Sequence, residues 1–225
     1  MRLLIVNPNT SWGVTRRIAG AAEAVARPGD DFTTLQAAFG PELIVTAADG
    51  EEATRGVLET IRKYGDRPDG IVLASFGDTG AERVRAAWPD IPVIGIAEAA
   101  FAATQRIGGT FSIVTFAPEV APPLRQKAEE HGVAGALLRI AALEEPLKGD
   151  PAEIADELAA PLTSLCAICA EEGADSIVLG GGPLAGLAGR IALSCPVPVI
   201  DGTQEAVAQL RARVREGSLT GQNGT

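Results

Sequence analysis

The sequence predicts an α/β protein of two duplicated lobes, each with a parallel sheet and the two sharing a ligand cleft. Short apolar, β-branched runs alternate with longer Ala-, Glu- and Arg-rich stretches, the pattern of parallel strands joined by crossover helices. Three strand-and-loop blocks also recur in one order. LLIVNPN from Leu3 answers FSIVTFA from Phe111; IVLASFGDTG from Ile71 answers IVLGGGPLAG from Ile177; IPVIGI from Ile91 answers VPVIDG from Val197. The last two pairs share an offset of 106 residues and the first has 108. Finally, 225 residues suffice for two lobes of roughly 100 residues each.

The predicted strands cover 2–7, 32–37, 70–75, 92–96, 111–116, 136–141, 176–180 and 197–200. The predicted helices cover 12–27, 50–65, 79–88, 97–107, 118–132, 151–173, 184–194 and 203–216. Residues 1–97 with 203–217 form the first lobe and 98–202 the second. From Ser218 the chain loses apolar periodicity and reads as a flexible tail, 218–225.

Composition narrows the partners. A net charge of −10 argues against nucleic acid and anionic membranes, because both require a clustered cationic face. Aromatic residues make up only 4%, leaving few platforms for stacking bases, so a small-molecule substrate is expected. The apolar start is too short for a signal sequence, and no apolar run approaches about 18 residues. Three cysteines confined to the C-terminal half argue for the reducing cytoplasm rather than a disulfide framework. No metal-ligand spacing and no dinucleotide fingerprint are present, so neither metal nor cofactor is expected.

In open parallel sheets ligands sit beyond the carboxyl ends of the strands. There Asn9, Thr10 and Ser11 follow the first strand, offering an amide, hydroxyls and helix N-terminal N–H groups to a carboxylate or imide, or simply capping a helix. Ser75 ends the third strand and is followed by Phe76, Gly77, Asp78 and Thr79; it suits a nucleophile or a polar contact. Asp78 reads rather as a cap for the following helix. The mirrored loop, Gly180 to Pro183, has no reactive side chain, and its glycine N–H groups can form an anion nest or a tight turn. Thr115 and Phe116 end the fifth strand and face the same cleft. His131, at a predicted helix end, reads as a solvated or capping residue, and Glu98 is left out of the site. Cys166 and Cys169 lie within a helix and read as buried structural residues, while Cys195 precedes a strand, at the wrong end of the sheet.

The motifs NPNTS, GPE at 40–42, SFGDTG at 75–80, PVIGIAEAA at 92–100, FSIVTF at 111–116 and IVLGGG at 177–182 together resemble the hydantoin racemase branch of the aspartate/glutamate racemase superfamily, over nearly the whole chain. The resemblance implies flavodoxin-like lobes, a cofactor-independent isomerase or lyase, and self-association into a homo-oligomer. It also implies one cysteine after the third strand of each lobe, acting as acid and base on opposite faces of a carbon acid. This sequence has Ser75 and Gly181 at those two places. A serine hydroxyl is a far weaker acid than a thiol, and glycine has no side-chain proton to exchange. Three readings follow. The first is an enzyme acting on a small hydantoin-like imide or carboxylate by hydrolysis, elimination or decarboxylation, with Ser75 catalytic. The second is a racemase, one-cysteine isomerase or decarboxylase in which Ser75 is an engineered replacement of cysteine. The third is a non-catalytic metabolite-binding protein.

Overall fold

The computed structural model describes residues 1–144 and 156–222, with the backbone alone for 216–222. Two four-stranded parallel sheets form the frame. The first contains β1 (Arg2–Asn7), β2 (Asp31–Gln36), β3 (Gly70–Leu73) and β4 (Val93–Gly95), in the order β2-β1-β3-β4. The second contains β5 (Phe111–Thr115), β6 (Leu137–Ala142), β7 (Ser176–Leu179) and β8 (Val199–Ile200), in the order β6-β5-β7-β8. The identical order is the structural form of the duplicated blocks. In both sheets the inner pair is buried, apart from Arg2 at the start of β1, which is why those strands read as apolar runs.

The helices of the first half are α1 (Trp12–Glu23), α2 (Ala47–Tyr64), α3 (Ala81–Ala87) and α4 (Ile96–Ile107). Those of the second half are α5 (Ala121–Glu130), α6 (Ala159–Glu171), α7 (Ala188–Ile191) and α8 (Gly202–Gln222). α8 packs on β3, β4 and α1, while α4 lies against α8 and β7. The α4–α8 pair therefore ties the sheets together, and one apolar core runs across both halves. Phe101 of α4 meets Phe76 edge-on at 5.6 Å and Phe111 of β5 at 5.9 Å, arrangements that favour aromatic pairs beyond their buried area.

The helix expected over 12–27 ends at Glu23 and that over 118–132 opens as a 3-10 turn at Pro118–Val120; three other departures have a visible cause. The helix expected over 184–194 shrinks to four residues, because Ala185 is extended and Gly186 has φ 86°, breaking the helix before Ala188. α2 starts three residues earlier than its apolar pattern. Thr46 accepts the Asp49 N–H, and the Asp49 carboxylate accepts the Thr46 N–H, a reciprocal cap that extends the helix. α8 runs on to Gln222, into the stretch read as a tail, because adding residues to a formed helix is easy compared with nucleating one. Residues 151–155 of the helix expected from 151, and 223–225 of the tail, lie outside the described residues.

The capping box makes a local prediction. Thr46→Ala removes the acceptor for the Asp49 N–H and is expected to cost about 1 kcal/mol. Thermal unfolding should show this as a fall of about 2–4 °C.

A candidate active site between the two sheets

The carboxyl ends of both sheets face one cleft of about 520 Å³. Sheet polarity explains this: every strand is parallel to its neighbours, so all βα loops of one lobe emerge on one side. Ala74, Ser75, Phe76, Gly77 and Thr79 form one wall, and Phe116 with Gly180 to Pro183 form the opposite one. The walls touch at their base, where a Cβ added at Gly182 would stand 3.1 Å from the Ala74 carbonyl oxygen. Asn9 joins the first wall.

The predicted residues divide into two groups. Asn9, Ser75, Phe76, Gly77, Thr79, Phe116, Gly181, Gly182 and Pro183 line the cleft. Thr10, Ser11, Asp78 and Thr115 do not, and each has a partner elsewhere. Thr10 donates its N–H to the Pro41 carbonyl at 3.0 Å and its hydroxyl to the Gly40 carbonyl at 3.3 Å, holding down the 40–46 segment. Ser11 caps α1 by accepting the Val14 N–H. The buried Thr115 hydroxyl donates to the Gly180 carbonyl at 2.7 Å, bracing the opposite loop from behind. Asp78 caps a helix, but that helix is α4 rather than the next one, α3, whose N-cap is Gly80 without a side-chain bond.

Asn9 is preset. Its Oδ1 accepts from Asn7 Nδ2 at 2.7 Å and from the Ser11 N–H at 2.9 Å, so what it can offer a ligand is its amide donor. The Ser75 hydroxyl donates to Thr79 Oγ1 at 2.9 Å and accepts the Thr79 N–H at 3.2 Å. Neither partner is a base. Across the cleft the expected nest of three glycine N–H groups is reduced to those of Gly181 and Gly182, because Gly180 N–H continues the sheet ladder to the Val114 carbonyl at 2.9 Å.

Gly181 is held in a backbone conformation with φ 150°, which side chains disfavour. A Cβ there would lie 2.7 Å from Cε1 of Phe116, so the buried Phe116 ring takes the space a side chain at 181 would need.

Local reading missed two parts of the lining. Leu43, Ile44, Val45 and Thr46, between β2 and α2, with Ala47 at the start of α2, form a largely apolar flap on one side, and Val120, Pro122, Pro123, Leu124 and Gln126, at the start of α5, form the other. The GPE motif at 40–42 was the one available signal, since it precedes the flap. The cysteines lie apart from the cleft. Cys166 and Cys169 lie on the buried face of α6, and burial pushes the Cys166 thiol up to about 12, where it is inert near neutrality.

The fold and site define a two-lobed α/β protein with one cleft shared at the strand ends. A family model described as Asp/Glu/Hydantoin racemase matches residues 3–210, and the chain belongs to that family. It is 35% identical over 225 residues to the hydantoin racemase of Paenarthrobacter aurescens, covering 98% of this chain and 94% of that protein. Among solved structures, allantoin racemase from Klebsiella pneumoniae superposes with a TM-score of 0.86 at 34% identity, covering 96% of this chain and 89% of that one. Allantoin racemase from Pseudomonas fluorescens superposes with a TM-score of 0.87 at 28% identity, covering 96% and 92%.

Proposed function

We propose that this chain binds a small hydantoin-like imide or carboxylate in the interlobe cleft and does not racemise it by proton exchange between two faces. One observation carries the reading: among the described residues lining the cleft there is no Cys, His, Asp, Glu, Lys, Arg or Tyr. A two-face exchange needs a base on one side and an acid on the other, each tuned toward the working pH. The walls offer neutral donors instead: the Asn9 amide, the Ser75 and Thr79 hydroxyls, and the Gly181 and Gly182 N–H groups.

Such donors suit a bound carbonyl or carboxylate oxygen, and they favour negative charge developing there, as decarboxylation or elimination requires. They do not activate Ser75 as a nucleophile, because its hydroxyl is bonded to another hydroxyl rather than to a base. Ser75 is therefore a ligand contact, and the chemistry open to this cleft is stabilisation of an oxyanion. The names of the hydantoin and allantoin racemases it resembles support the ligand class.

The test is incubation in deuterated buffer with 5-substituted hydantoins and substituted malonates, followed by proton NMR and optical rotation, with calorimetry for binding. Hydantoins are expected to bind and to keep both rotation and α-proton at the rate of the protein-free control. Deuterium at the α-carbon together with loss of rotation above that control would overturn the reading.

A further inference from the structure

Asp78 lies three residues beyond Ser75, yet its carboxylate turns away from the cleft. Oδ1 accepts the Ala97 N–H at 2.9 Å and Oδ2 the Glu98 N–H at 3.1 Å, in the first turn of α4. The same Oδ2 lies 3.0 Å from Nε2 of His131, which ends α5 in the second half of the chain. The His131 ring leans on Phe101, centroid to centroid 5.5 Å. His131 is thus the C-cap of α5 and still 28% exposed, but it is more than a cap: it reaches across to the loop that carries Ser75.

Two features show that this contact is built into the loop. Asp78 is the one non-glycine residue with positive φ, 48°, among the described residues. Such a conformation persists only where its surroundings impose it. Gly95 keeps the space open, because a side chain at 95 would overlap the Asp78 carboxylate. In the duplicated half the carboxylate comes from the end of the fourth strand, and it also accepts the Gly186 N–H at 2.6 Å. Asp201, which corresponds to Gly95, caps α8 itself through the Thr203 and Gln204 N–H groups. In the first half the cap is delivered instead by Asp78, from the loop that carries Ser75, and is shared with His131.

We propose that His131 is a positioning residue: through Asp78 it sets the conformation of the Ser75–Thr79 loop, so that one wall of the cleft depends on a contact from the other half of the chain. The proposal rests on the cleft being the ligand site described above. Thr79 transmits the position, since its N–H and hydroxyl both bond Ser75 and it borders both the cleft and the polar cavity that contains Asp78 and His131.

Three proteins decide it: the unaltered chain, His131→Gln, which keeps a donor near Nε2, and His131→Leu, which does not. Each is examined by thermal unfolding, hydrogen–deuterium exchange of amides 76–80, and calorimetry with 5-methylhydantoin. In His131→Leu the loop amides are expected to exchange about tenfold faster and affinity to fall about tenfold, with both restored to within about threefold by glutamine. Unchanged exchange at 76–80 in His131→Leu would overturn the proposal. So would exchange raised equally in both halves and not rescued by glutamine, the mark of a general structural role. A loop that responds as expected in a protein that binds no hydantoin would support the positioning role and remove only the ligand reading.

Discussion

Gly181→Cys is expected to destabilise the protein by about 1–3 kcal/mol, and Ser75→Cys/Gly181→Cys to remain inactive as a racemase until Phe116 is cut back. The new Cβ would lie 2.7 Å from Phe116 Cε1, in a backbone conformation that already disfavours a side chain. Phe116 is 3% exposed and packed among apolar residues of the second half that include Leu162, Leu179 and Leu184, so its ring has only the cleft to move into, where it would occupy ligand space. Phe116→Ala should therefore compensate, and a double-mutant cycle in urea should show favourable coupling of about 0.5–3 kcal/mol between positions 116 and 181. Solvent deuterium should enter a 5-substituted hydantoin only in the triple variant with thiols at 75 and 181 and alanine at 116. Additive effects at 116 and 181 would mean that the ring does not guard that wall.

Asp201→Ala is the second large effect, expected at about 2–4 kcal/mol and a fall of about 5–15 °C in thermal unfolding. The carboxylate is 5% exposed and accepts the N–H groups of Gly186 at 2.6 Å, Thr203 at 2.8 Å and Gln204 at 3.2 Å. Burial pushes its carboxyl above the usual carboxylate range, with those three donors opposing. Alanine would leave the Thr203 and Gln204 N–H groups without an acceptor at the start of α8, the helix that packs on β3, β4, α1 and α4, and would free the Gly186 N–H in the loop before α7. A loss below about 1 kcal/mol would show that water replaces the carboxylate and that α8 is held by apolar packing alone.

How much of the site was legible depended on how local each interaction is. Ser75, Phe76 and Gly181 to Pro183 were found because they sit at strand ends, and strand ends are marked by where an apolar run stops. Thr10, Ser11 and Thr115 share that position, but a hydroxyl at a strand end can turn toward the ligand or toward the backbone. In all three the nearby backbone group is the partner found. The flap at 43–47 and the α5 start around Pro122 were not marked, because their place beside the cleft follows from how the two halves dock.

By itself the sequence determined the class of fold and its duplication, since apolar period, strand length and a constant offset are properties of chain order alone. It also determined that no thiol stands at 75 or 181. Only the tertiary structure decided that Phe116 closes the space above Gly181, that Asp78 serves α4 and His131 instead of its own helix or the cleft, and that the cleft lining carries no ionisable group. Those outcomes depend on distances between residues 19 to 65 positions apart in the chain. Close packing and the satisfaction of buried polar groups decide such distances, and neither leaves a periodic trace in the sequence.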